Sequence, residues 1–172
     1  MLALALIASS SITAQTQPAS NPLADTAKHD DVDTIPHIMG TIYDVISGPA
    51  GTRDWERFHS LFYRGAHFIP SHPDKDGTTV AQVHSTDECV DGAKAYFERN
   101  GFYESAVANR VEQWDKMAQV WSTYESRHAK GEKPFQRGIN SIQLFNDGKR
   151  WWVLNIFWEG EAGIPIPKQY LK

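Results

Sequence analysis

The sequence predicts an α+β domain in which helices come first and an antiparallel sheet comes last. Two observations carry that expectation. Apolar residues recur every three or four positions between Asp33 and Asn100, and every second position from Phe102 onward. The segments of period two are separated by turns too short to hold a crossover helix, so successive strands must run antiparallel. No internal repeat is visible.

The elements follow in order. Residues 1–14 (MLALALIASSSITA) form an apolar run followed by small residues, which matches the core and cleavage zone of an export signal, although no Lys or Arg precedes Leu2. The run is too short to span a bilayer. Cleavage after Ala14 is expected, giving a periplasmic or secreted protein. Residues 15–31, rich in Gln, Ser, Asn, Pro and Asp, read as a flexible tether, and residues 32–172 as one domain. Thr34 can cap a first helix with Pro36 in its opening turn, and Ile35, Ile38, Met39, Ile42, Tyr43 and Ile46 form its buried stripe until Gly48-Pro49 ends it. A second helix is expected from near Thr52, with Trp55, Phe58, His59, Leu61 and Phe62 on the stripe and Arg53, Glu56 and Arg57 off it. Short strands are expected at His67–Ser71 and Thr78–His84, around a turn at Pro73–Gly77. Ser85-Thr86-Asp87-Glu88 has the spacing of a capping box and opens a third helix, which Asn100-Gly101 should stop in the left-handed conformation.

Four strands should follow, at Phe102–Trp114, Ala118–His128, Arg137–Phe145 and Arg150–Trp158. Turns between them are expected at Asp115-Lys116, Lys130-Gly131 and Asn146-Asp147-Gly148, the last being the strongest hairpin signal. The final strand is apolar on both faces. One face should pack on the helices and the other needs a cover, supplied either by a partner subunit or from within the same chain.

A chain of 172 residues with 41% hydrophobic content can bury a core as a single domain. Six Trp, six Tyr and eight Phe are many for this length and predict a thick core, an aromatic-lined cavity, or both. A net charge of −4 gives no basic footprint for phosphate backbones, which argues against nucleic-acid binding. The lone Cys89 can form neither an internal disulfide nor a thiolate zinc site. Phosphate loops and nucleophile elbows are absent, and no cofactor is expected.

Two helices, a short hairpin, a third helix and a long meander, together with Val120-Trp121-Ser122-Thr123-Tyr124-Glu125, Arg137-Gly138-Ile139-Asn140-Ser141-Ile142-Gln143-Leu144 and Asp147-Gly148-Lys149-Arg150-Trp151-Trp152-Val153, resemble the nuclear transport factor 2-like superfamily, of the SnoaL-like kind. The resemblance covers roughly Asp33 to Glu161. It implies a cone-shaped curved sheet against three helices, a cavity at the open end, and a homodimer through the sheet. It also leaves several roles open, because members include steroid isomerases, dehydratases, polyketide cyclases and plain binding proteins. In the steroid isomerases a carboxylate base works with a Tyr and a protonated Asp at the oxyanion.

The expected buried faces carry the candidate site residues. Tyr43, on the first helix stripe, can polarise a ligand oxygen, and His59, on the second, can move a proton, or each can be a satisfied core residue. Trp55 and Trp158 suit cavity walls, and Tyr124 joins them as a ligand-lining residue. Asn109, Asn140 and Asn155 each place one amide in an apolar row, where they could orient the polar end of an apolar ligand. Glu104, Glu112 and Glu125 alternate with Arg110 and Arg127 and read as ion pairs on a solvated face. His67, His72, Asp74 and His84 follow no ligand spacing, so no metal is expected. The first expectation is therefore an exported domain that binds a small apolar molecule. A cofactor-independent isomerase, dehydratase or cyclase using Tyr43 and His59 is the alternative, and an interaction module using the sheet face is the second.

Overall fold

The computed structural model describes residues 26–172. The expected leader and most of the expected tether lie outside them. The end of that tether is structured: α1 (His29–Val32) is one helical turn whose Asp31 and Val32 are buried. Asp31 accepts two hydrogen bonds of 2.9 Å from the Arg57 guanidinium, a bidentate pair that pins the segment to the domain and holds the Asp31 carboxyl below its usual range.

In α2 (Ile35–Ile46), Thr34 accepts a hydrogen bond from the His37 amide and Pro36 occupies the first turn. Ile38, Met39, Ile42, Tyr43 and Val45 are buried. The helix expected next is much shorter than its apolar stripe. α3 (Trp55–His59) stops after five residues, and β1 (Phe62–Pro73) begins where the stripe continues. The cause is sheet pairing, because the Val153 amide donates to the Leu61 carbonyl at 3.0 Å and draws the chain into the sheet. Two short strands, β2 (Thr79–Ala81) and β3 (His84–Ser85), return antiparallel to β1. α4 (Thr86–Arg99) carries the complete capping box, with Ser85 and Glu88 each accepting from the other's amide. It ends at Asn100 as expected, but Asn100 is extended rather than left-handed. The need for glycine at 101 is steric: a Cβ there would lie 2.3 Å from the His128 carbonyl oxygen.

The meander consists of β4 (Tyr103–Trp114), β5 (Met117–Arg127), β6 (Gln136–Asn146) and β7 (Trp151–Gly160), paired antiparallel in sequence. The tip of the first hairpin places Asp115 at a φ of 46°, and the last hairpin turns through Gly148 at a φ of 99°. The strand order is β2-β1-β7-β6-β5-β4, and β1 runs parallel to β7. The sheet is therefore mixed, not wholly antiparallel, because a strand from the helical half of the chain adds to the free side of β7. The curved sheet wraps the helices on one face, forming an open cone whose core joins α2, α3, β1 and the inner face of β5–β7.

This arrangement explains the doubly apolar last strand. β7 lies between β1 and β6, with Val153 and Ile156 in the core. On the other face, the segment after Gly160 crosses the sheet and sets Tyr170 against Trp121, with ring centroids 5.6 Å apart. Among the described residues no helix is long and apolar enough to cross a membrane.

Gly138 is fixed by close approach. A Cβ there would sit 2.3 Å from the Glu159 carbonyl and 2.6 Å from the Tyr124 hydroxyl. Gly138→Ala is therefore expected to cost about 3 kcal/mol through overpacking against backbone that cannot give. Chemical denaturation checks this, and a loss under about 1 kcal/mol would show that β6 and β7 can part without penalty.

Candidate functional site

α2, α3, α4 and the inner face of the sheet leave a partly open cavity of about 240 Å³ between them. Its walls are chiefly apolar. α2 supplies Ile42 and Ile46, α3 supplies Trp55 and Phe58, and α4 supplies Cys89, Val90, Ala93 and Phe97. Trp55 stacks on Phe97 at 5.9 Å and meets Phe58 edge to face at 5.7 Å, so the aromatic wall is one interlocked unit. Ile156 and Trp158 close the side formed by β7.

The polar groups all come from β4, β5 and β6. Glu104, Tyr124, Gln136 and Asn140 line the cavity, and each is held by a neighbour. Ser126 donates to the Glu104 carboxylate at 2.6 Å, and Gln136 donates to the Tyr124 hydroxyl at 3.3 Å. The Asn140 amide donates to the Tyr43 hydroxyl at 3.1 Å, and Tyr43 shares a further hydrogen bond of 2.5 Å with Ser122. Burial pushes the Glu104 carboxyl up to about 7, only partly opposed by Ser126, and pushes Tyr43 up to about 12. Tyr124 is raised as well, by burial and then by the nearby Glu104. Cys89 is pushed up to about 11 by burial, which makes its thiol unreactive at neutral pH.

Four of the residues singled out in the sequence meet here: Trp55, Tyr124, Asn140 and Trp158. Tyr43 stands behind Asn140 and not at the cavity surface. His59 is directed away from the cavity, with its Nε2 3.6 Å from Asp87 on α4, and so cannot pair with Tyr43 across a ligand. Asn155 donates to Gln143 on the opposite face of the sheet. Asn109 is exposed, because the helices do not cover the far end of β4. Glu112 and Glu125 form the expected ion pairs, with Arg110 and with Arg127 and Arg137 respectively. Glu104 does not join them. A bulge at Val107 explains this: Glu104 and Ala106 face inward opposite Ser126 and Tyr124, and one extra residue sends Arg110 and Glu112 outward. Among the described residues His29, Asp30 and Asp33 are the group close enough to share a cation; they lie at the surface and include none of His67, His72, Asp74 and His84.

A carboxyl that titrates near neutrality beside hydrogen-bonded hydroxyl and amide groups, in an apolar chamber, can hold the polar end of an apolar molecule and can exchange a proton with it.

No protein-family model matches the chain, and no curated protein matches it in sequence. Solved structures match it in fold. A protein of unknown function with a cystatin-like fold from Nostoc punctiforme aligns with a TM-score of 0.58 at 10% identity, covering 76% of this chain and 91% of that one. A Kribbella flavida protein aligns with a TM-score of 0.55 at 9% identity, covering 81% and 93%. A candidate dehydratase of the nuclear transport factor 2-like family from Streptomyces avermitilis aligns at 0.51 and 11% identity, covering 72% and 91%. The fold of this chain is nuclear transport factor 2-like.

Proposed function

We propose that this nuclear transport factor 2-like domain is exported and binds a small, largely apolar molecule in the cone cavity, with the polar end of that molecule against Glu104, Asn140 and Tyr124. The observation that carries this reading is the lining itself: one wall of interlocked aromatic rings and one short row of fixed polar groups. Export rests on the apolar run at residues 1–14. Native mass spectrometry of protein purified from its source tests the binding, with Trp55→Ala and Trp158→Ala as controls. A co-purifying apolar molecule whose occupancy falls about tenfold in both variants is expected, since each substitution removes a buried aromatic wall. Repeated absence of any bound molecule in wild-type protein, together with no saturable uptake of a hydrophobic fluorescent probe, would defeat it.

A second reading is favoured by the raised carboxyl of Glu104. In it the cavity catalyses a cofactor-independent proton transfer, with Glu104 as the group that exchanges the proton, in place of the Tyr43–His59 pair expected from the sequence. Turnover of the bound molecule by wild-type protein, lost in Glu104→Gln while binding is kept, marks a catalyst, and an unaltered molecule in both proteins marks a binder. Self-association through the sheet belongs to the same proposal, and would use the part of the outer face that the C-terminal segment leaves open. Light scattering at micromolar concentration decides it, a monomer removing it.

A further inference from the structure

A second cavity, of about 290 Å³, lies on the opposite face of the sheet, beneath the C-terminal segment. Its floor is set by strand register. Trp121 on β5, Ser141 on β6 and Phe157 on β7 are direct neighbours in one row. The two aromatic side chains therefore stand about 10 Å apart across a short serine, which is two strand spacings. That leaves room between them for one flat or compact apolar group. Tyr170 closes a third side, with its ring against Trp121.

The C-terminal segment forms a strap fixed at both ends. At its start the Glu161 amide donates to the Arg137 carbonyl at 2.7 Å, and the Glu161 carboxylate pairs with Arg137 and accepts from the Ile166 amide. At its end Thr123 donates to the Tyr170 carbonyl. Between these anchors Pro165 and Pro167 fix the backbone in extended form, so the strap stands off the sheet instead of collapsing onto it. Ile164 is 82% exposed and Phe157 41% exposed, so the chain's own apolar side chains do not fill the space.

The rim is acidic. Arg137 bridges Glu125 and Glu161, and Arg127 also pairs with Glu125. Glu159 lines the cavity one row beyond Phe157, is exposed, and has no ion-pair partner among the described residues.

We propose that the strapped cavity is a binding site for a small organic cation with an apolar body, of the quaternary-ammonium class. Its methyl groups would lie between Trp121, Phe157 and Tyr170, and its charge against Glu159. Aromatic faces attract such cations because their hydration is weak and the ring quadrupole is negative above the plane. A free carboxylate at the rim adds selection for positive charge.

Calorimetric titration of the full chain with choline, and with its neutral isostere 3,3-dimethylbutan-1-ol, tests this. Saturable binding of choline is expected, with the neutral compound weaker by about tenfold, the order of a desolvated cation–π contact. Trp121→Ala should lower choline affinity by a similar factor. Glu159→Gln, a surface change that leaves the fold intact, should lower it several-fold and remove most of its dependence on sodium chloride. Equal binding of the two compounds would overturn the proposal, as would affinity unchanged in Glu159→Gln or no saturable binding up to roughly 10 mM choline. Each of these outcomes is independent of the cone cavity, which lies across the sheet and contains neither Trp121 nor Glu159.

Discussion

Arg53→Met is expected to destabilise the domain by about 3–5 kcal/mol. Arg53 is 7% exposed, and its guanidinium donates to the carbonyls of Ile46, Gly48, Pro49 and Gly51 at 2.8–3.0 Å. It also lies 4.9 Å from the centre of the Phe97 ring. No carboxylate compensates it among these contacts; the four carbonyl dipoles do so instead, and burial lowers the guanidinium from its ordinary value. Methionine fills the volume but removes the side-chain donor from all four carbonyls, of which Gly48 keeps the Phe102 amide. The affected loop also holds Gly48 against Phe102 by two reciprocal backbone bonds, and so joins α2 to the start of β4. Ligand binding should therefore fall together with stability, since Ile46, Phe97 and Phe102 all line the cavity. Arg53→Lys should rescue only a minor part, because one ammonium cannot reach four acceptors arranged around a planar fork. A midpoint of thermal unfolding lowered by roughly 10 °C is expected, and a shift under about 3 °C would show the loop to be held by other contacts.

Glu104→Gln should have the second large effect, in the opposite direction. The carboxyl titrates near 4.5 in the unfolded chain and at about 7 in the fold. Its folded-state value is raised, so the stabilisation it provides is complete below about pH 4.5 and is lost as the pH rises through about 7. At pH 8 the folded protein carries a buried carboxylate at a cost of about 3 kcal/mol relative to low pH, as the upper bound set by that shift. Glutamine keeps the acceptor that Ser126 uses and never ionises. The variant should therefore unfold at higher denaturant than wild type at pH 8 and differ little at pH 5. Equal pH profiles for the two proteins would show that the Glu104 carboxyl reaches solvent.

Local chemistry was the part of this fold most legible in the sequence. The Ser85–Glu88 capping box, the Thr34 cap and the Asn146-Asp147-Gly148 hairpin each depend on residues within a few positions of one another, and each forms as its spacing implies. What the sequence hid was settled over long range. Phe62 continues the helical stripe of Trp55 and Phe58, yet it joins the sheet because its strand partner is Val153. Arg53 is a local exception: it reads as lying off the buried stripe of a helix, and although its four carbonyl partners are close in sequence, only the folded loop turns them toward it. Of the polar residues that line the cavity, Asn140 was legible from alternation within a single strand, whereas Glu104 was assigned to the wrong face. Counting by twos along β4 links Glu104 to Glu112, and only the bulge at Val107 separates them. Asn109 and Asn155 lie outside the cavity for related reasons: one lies beyond the reach of the helices, and the other lies on the far side of the sheet.

The central place of β7 also governs when the molecule can fold. The last strand of the meander is the one that joins β1 to the rest of the sheet, so until it is made β1 has no neighbour on that side, although α2 can already meet the meander through Gly48–Phe102 and Tyr43–Ser122. Native pairing of Phe62 with Val153 must close a loop of some ninety residues, which is slow to search. Until Trp151–Gly160 has emerged the sheet lacks the strand between β1 and β6, and the unpaired edges of both stay exposed.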